Sequence, residues 1–226
     1  MSGIICFTFD DCDVKGWTAA IPLFAEYGAH ALFSFSGNIT ADVIGCMKAL
    51  ENAGHSLGLH SVHHVNAPEY IAEHGRQEYF YNEVAPQLAA CRSEGIKPGT
   101  FAFPNKRFND DALALLSQFF HHFRAGCGTL GEDGMFVKMK DLTPEYRVMR
   151  GGGLGEYYHT RTEDVLSAID RAAERDECVT FFSHGISAGA KGVNMPLELL
   201  TAALEHAKKR GCRMIGFDEL PIASRS

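Results

Sequence analysis

Two short polar clusters carry the residue types that can do chemistry. Thr8-Phe9-Asp10-Asp11 directly follows the apolar run Ile4-Ile5-Cys6-Phe7, and His60-Ser61-Val62-His63-His64 directly follows Ser56-Leu57-Gly58-Leu59. One carboxylate and two imidazoles can hold a divalent metal and leave positions open for water and substrate. The other carboxylate then remains as a base. His60 and His64 are four apart, so on a helical turn they share a face and can chelate one ion. Asp10 and Asp11 are adjacent at a strand end, so their side chains point in different directions, one toward a metal and one toward substrate. This inventory suits metal-assisted hydrolysis. His184 follows Val179-Thr180-Phe181-Phe182-Ser183 and precedes Gly185-Ile186, a strand end placed to supply a general acid. Phe182 and Ile186 are expected to make a small apolar pocket sized for a methyl group. Cys12 is a weaker ligand candidate, because an Asp and two His already serve. Asp13 is expected to be merely solvated, and His63 to be a polar loop residue that points elsewhere.

The elements that must position these groups alternate between strand and helix. Strands are predicted at 3–9, 30–35, 56–59, 100–103, 119–124, 146–149, 178–183 and 213–217. Helices are predicted at 17–27 (with Pro22 as a flaw), 40–53 capped by Thr40 and closed by Gly54, and 68–92 with a break near Gly75. Three more follow: a helix capped by Asn109 through Gln118, one at 162–175 capped by Thr162, and one at 196–210 that starts on Pro196 and ends before Gly211. The Gly-rich stretch 126–144 shows weak periodicity. Repeated β-then-α units imply parallel strands with right-handed crossovers. The expected fold is therefore α/β, an irregular (β/α) barrel of seven or eight parallel strands forming one domain over 1–226. In such barrels the chemistry sits at the C-terminal ends of the strands. Asp10, Asp11, His60, His64, Asn105, Arg107 and His184 all fall just after strands that the apolar runs alone predict.

Bulk properties exclude several functions. The chain has 226 residues, 46% hydrophobic and 22% charged, with a formal net charge of −7. That surface does not favour a nucleic-acid backbone. The short basic run Lys208-Lys209-Arg210 closes a predicted helix, where positive charge suits the macrodipole. No apolar run approaches the ~20 residues of a membrane span. The seven cysteines are odd in number and scattered without a CxxC, which argues against a disulfide framework. The chain opens almost at once on a strand, without a basic, apolar leader, and the expected location is cytoplasmic.

These motifs resemble, in order, those of the polysaccharide deacetylase superfamily, the NodB-homology or carbohydrate esterase family 4 enzymes. Thr8-Phe9-Asp10-Asp11 resembles the first motif, whose first Asp is the base and whose second binds metal. His60-Ser61-Val62-His63-His64 resembles the second, with two His ligands. Phe101-Ala102-Phe103-Pro104-Asn105-Lys106 resembles the third in its Phe-Ala-Tyr-Pro-x-Gly variant, and Phe182-Ser183-His184 resembles the fifth, which ends in the catalytic His. The resemblance spans residues 8–184. Three departures stand beside it. Ala102 occupies the place of an Arg that holds the base Asp in many members, with Arg107 or Arg124 as candidate replacements. Lys106 stands where Gly is usual. The fourth motif, an Asp- and Trp-containing segment expected within 126–160, is not discernible.

The resemblance implies a metal-dependent hydrolase that removes N- or O-linked acetyl groups from a carbohydrate and releases acetate. Asp11, His60 and His64 would hold the metal, zinc first, with nickel, cobalt or iron also suitable. Asp10 would be the base and His184 the acid. Phe103, Asn105, Arg107, Phe182 and Ile186 would line the substrate or oxyanion position, the Asn105 backbone N–H among them. Two alternatives stay open: hydrolysis of a C–N bond in a small non-sugar acylated molecule, and a catalytically inactive sugar-binding relative.

Overall fold

The computed structural model of the chain describes residues 3–128, 130–131 and 134–222; parts of the Gly-rich stretch (129, 132 and 133) lie outside this range. Strands β1 (Ile4–Asp11), β2 (Ala31–Phe35), β3 (Ser56–Leu59), β4 (Thr100–Ala102), β5 (His122–Gly128), β6 (Phe136–Lys138), β7 (Val148–Gly153), β8 (Glu177–Ser183), β9 (Ile186–Ser187), β10 (Met195–Pro196) and β11 (Arg213–Met214) alternate with helices. The helices are α1 (Val14–Tyr27), α2 (Ala41–Asn52), α3 (Ala67–His74), α4 (Arg76–Tyr79), a π-helical turn (Phe80–Val84), α5 (Ala85–Ser93), α6 (Asp110–Leu116), α7 (Thr162–Arg175) and α8 (Leu197–Lys209).

Parallel pairing runs β1–β2–β3–β4–β5–β7–β8 and returns from β8 to β1, closing a seven-stranded parallel barrel. The eighth expected strand is instead the short β11, which extends β1 outside the ring at Ile4 and Ile5. β6 was not expected; it pairs antiparallel to the start of β8. The sixth expected strand, 146–149, is β7 and runs on to Gly153.

The alternation along β1 explains what faces where. Ile5, Phe7 and Phe9 join the main core under the helices, with Trp17, Phe24, Phe33 and Phe35. Ile4 and Cys6 join a smaller cluster with Leu32, Met149, Cys178 and Phe217. By the same period Thr8 and Asp10 lie on the Ile4–Cys6 face of the strand. The C-terminal segment covers the end of the barrel where β1 and β3 begin: the Asp218 N–H donates to Ser56 Oγ (2.8 Å), and the Pro221 carbonyl accepts from His122 Nε2 (3.0 Å).

Caps follow local chemistry. The side chains of Thr40, Asn66 and Asn109 accept the N–H of Val43, Glu69 and Ala112 at the starts of α2, α3 and α6. Thr162 is not the cap of α7. It is the first helical residue, and Arg161 takes the cap position, its backbone N–H bonded to Asp164.

Candidate active site

At the C-terminal end of β1 the chain leaves the sheet with Asp11 at φ 76°, which turns consecutive carboxylates apart. Asp10 stays buried at 2% exposure, whereas the Asp11 side chain is half exposed. After β3, Ser61 and His64 also take positive φ. This folds the loop back so that His60 and His64 bring their rings to a 4.8 Å centroid separation. Asp11 Oδ1 lies 3.9 Å from His60 Nε2 and 3.7 Å from His64 Nε2, and Oδ2 lies 3.8 Å from His184 Nε2. One donor atom each from Asp11, His60 and His64 falls within a 4.8 Å span.

The donor chemistry fits a divalent cation. His60 Nδ1 donates to the Ala102 carbonyl at 2.8 Å, which leaves the Nε2 lone pair facing Asp11. Burial pushes the His60 imidazole below its ordinary pKa, so it stays neutral, as a ligand must be. Cys12 is exposed and stands outside this donor set.

Asp10 is held differently. Arg124, reaching from β5, pairs with Asp10 Oδ2, and both groups are buried. Burial raises the Asp10 carboxyl, but Arg124, then His60 and His184, pull it back, for a net shift below the ordinary carboxylate range. Arg124 thus occupies the position opposite Asp10 that Ala102 leaves without a cation. The other Asp10 oxygen, Oδ1, has no hydrogen-bond partner. Asp10 lines a cavity of about 200 Å³ together with Phe103, Asn105, Lys106, Tyr157, Tyr158 and Phe182 and the three histidines His60, His64 and His184.

His184 is fixed from behind. Its Nδ1 donates to the Val193 carbonyl (3.1 Å), and its own carbonyl accepts the Trp17 indole N–H (3.0 Å). Asp13, expected to be merely solvated, is a structural brace. One carboxylate oxygen caps α1 at the Gly16 N–H and the other accepts the Ile186 N–H, each at 3.0 Å. His63, expected to be a bland loop residue, is bound through both its backbone N–H (2.8 Å) and its Nδ1 (2.7 Å) to the buried Glu83.

Two expected lining residues lie elsewhere. Arg107 is exposed beyond the short turn Pro104–Lys106, outside the cavity. Ile186 is buried and lines a separate depression with Lys15, Gly16 and Ala19. The apolar wall beside Phe182 is instead Tyr158, edge-to-face at 5.1 Å. Trp17 and Glu83 carried only amphipathic-helix signals in the sequence, and Tyr157 and Tyr158 lay in a stretch without periodicity. The contacts that bind them to the site are all long-range.

A closed parallel barrel whose C-terminal rim gathers Asp, Asp, His, His and His defines a hydrolase-type site. The family profile for polysaccharide deacetylase matches residues 2–123, and the chain belongs to that family. Solved structures of similar fold include the chitin deacetylase from the fungal pathogen Colletotrichum lindemuthianum (16% identity, 99% of this chain and 89% of that chain, TM-score 0.66). The family 4 carbohydrate esterase from Streptomyces lividans is similar at 14% identity, over 99% of this chain and 98% of that one, with a TM-score of 0.60. The Xyl-CE4 domain of a multidomain xylanase from the hindgut metagenome of Trinervitermes trinervoides shares 18% identity over 97% and 89%, with a TM-score of 0.61. At these identities the likeness establishes the fold. No curated protein sequence matches the chain.

Proposed function

We propose that the protein is a metal-dependent deacetylase of a carbohydrate substrate, with Asp11, His60 and His64 as metal ligands, Asp10 as general base and His184 as general acid. The observation that carries this reading is the convergence of the three donor atoms within 4.8 Å, beside a buried Asp10 whose Oδ1 is unpartnered. A bound divalent cation supplies Lewis-acid activation of water and of the acetyl carbonyl; zinc suits the N/O donor set best, with nickel, cobalt or iron as alternatives.

The chain's own groups do the rest. Arg124 keeps Asp10 ionised, so Oδ1 can take the proton of the attacking water. The oxygen of that water adds to the acetyl carbon, and the backbone N–H of Asn105, on the cavity wall, is a donor for the developing oxyanion. The bond from the acetyl carbon to the sugar nitrogen or oxygen breaks as protonated His184 delivers its Nε2 proton to the leaving atom. Its Nδ1–H stays on the Val193 carbonyl, which holds the ring in that orientation. Acetate and the deacetylated sugar result.

Among the described residues no helix is long and apolar enough to cross a membrane. The scattered cysteines support a reducing, cytoplasmic setting.

The test is elemental analysis of the purified protein paired with acetate release before and after chelation. About one equivalent of metal, with activity lost on chelation and restored by reconstitution, is expected. Acetate release that survives complete metal removal would overturn the metal-dependent reading. Bound metal without acetate from any acetylated sugar would favour a small non-sugar substrate or an inactive relative.

A further inference from the structure

Lys106 is out of place by backbone and by charge. Together with Asn105 it sits at positive φ (64° and 54°), a region that costs free energy for any residue with a Cβ and that glycine enters freely. The strand beside it makes room for its stem: a Cβ at Gly126 would fall inside the Lys106 methylenes. The half-buried side chain lines the same cavity as Asp10 and the two loop histidines, with its ammonium 5.8 Å from the ring centroids of both Tyr158 and Phe182. Two aromatic faces hold a cation there in reduced water.

The ammonium has no carboxylate partner among the described residues. Arg124, the other cation of the cavity wall, is committed to Asp10, and Asp11 faces the two loop imidazoles. Lys106 is therefore the cation of this wall left to meet an incoming group. The molecule as a whole carries a net charge of −7, which repels anions, so any anionic ligand needs a local cation of this kind.

We propose that Lys106 is a specificity-determining residue that binds an anionic substituent, a carboxylate or a phosphate, on the acetylated sugar. The proposal rests on the deacetylase reading and adds the substrate's charge to it. The ammonium, already partly desolvated and flanked by rings, gains a charge-assisted hydrogen bond when the anion arrives.

The experiment compares metal-loaded wild type, Lys106→Met and Lys106→Arg on three probes: N-acetylglucosamine, its 6-phosphate and its uronic acid. For wild type, kcat/KM on at least one anionic probe is expected to exceed that on the neutral one by about tenfold or more, mainly through KM. In Lys106→Met that ratio falls toward one, and Lys106→Arg restores part of it. The better anionic probe identifies the anion as phosphate or carboxylate. Equal treatment of all three probes by wild type overturns the proposal. So does a Lys106→Met loss of equal size on charged and neutral probes, which would assign the lysine to the reacting groups. Calorimetric binding of glucosamine, glucosamine 6-phosphate and glucosaminuronate runs in parallel. If no probe is deacetylated, N-deacetylation of these monosaccharides fails while this arm still decides: tighter anion binding lost in Lys106→Met supports the anion site, and identical affinities overturn it.

Discussion

Asp10 and Asp11 are neighbours in sequence with opposite surroundings, and the division of labour proposed for them follows from that difference. Asp10 is buried against Arg124, with one oxygen free; Asp11 is half exposed among three imidazoles. Asp10→Asn keeps the shape and removes the base. Acetate release is expected to fall by about 10²- to 10⁴-fold while metal content stays at the wild-type level. Loss of metal in that variant would exchange the two roles. Arg124→Met isolates a different term. It leaves the Asp10 carboxylate buried without a counter-ion, so unfolding free energy should drop by about 3–5 kcal/mol by denaturant titration. The double variant Asp10→Asn/Arg124→Met should recover much of that loss, because no unpaired buried charge remains. An additive double variant would show that the pair is not coupled. The sequence offered Arg124 and Arg107 equally as partners for Asp10. Only the closure of the barrel, which sets β5 across from β1, separates them.

At the scale of elements, the loop that carries His60 and His64 is held by the helical segment that follows it. The π-helical turn inserts one extra residue per turn, and buried Glu83 within it grips His63 while its carbonyl accepts the Val62 N–H at 3.1 Å. One turn on, the buried Gln87 amide donates to the carbonyls of Phe35, the last residue of β2, and Gly37, in the loop after it. The sequence showed a helix over this region with a break near Gly75, and it located that break. It did not show the π turn, because apolar periodicity reports a face and not a local change of pitch. Glu83→Gln should cost about 1–3 kcal/mol of stability and weaken Co²⁺ binding, followed by its absorption spectrum, by about tenfold. Reduced stability with unchanged Co²⁺ affinity would confine Glu83 to packing. The far end of β7, beyond the expected 146–149, was not legible in the sequence for a related reason. Its Gly151-Gly152-Gly153 end carries no side chains to show alternation, and the space is filled by Phe182, Met135 and Tyr158 from elsewhere.

Across the whole molecule, the β/α alternation made the parallel barrel legible, and the polar residues at strand ends marked the rim where the candidate site residues gather. The opposite end was not legible, because it is closed by side-chain contacts remote in sequence. There His55 is buried beneath Phe24 and Phe33, and its Nδ1 accepts the Ala31 N–H at 3.1 Å, so the ring must be neutral on that nitrogen. His30 stands 6.1 Å away, centroid to centroid, and pairs with Glu219 of the C-terminal segment. Burial, and secondarily His30, pushes the His55 imidazole down to about 4. The unfolded chain, with its ordinary imidazole pKa near 6.5, then binds more protons than the folded one between those two values. Stability contributed by the neutral ring is therefore full above about pH 6.5 and declines as the pH falls toward 4, by up to about 3 kcal/mol. His55→Asn keeps a short side-chain acceptor for the Ala31 N–H and removes the titration. Denaturant unfolding at a series of pH values should show wild type losing stability across this window while the variant's curve is flatter. Parallel curves would mean that the acid sensitivity of the barrel comes from other groups, and that His55 is protonated in the fold without penalty.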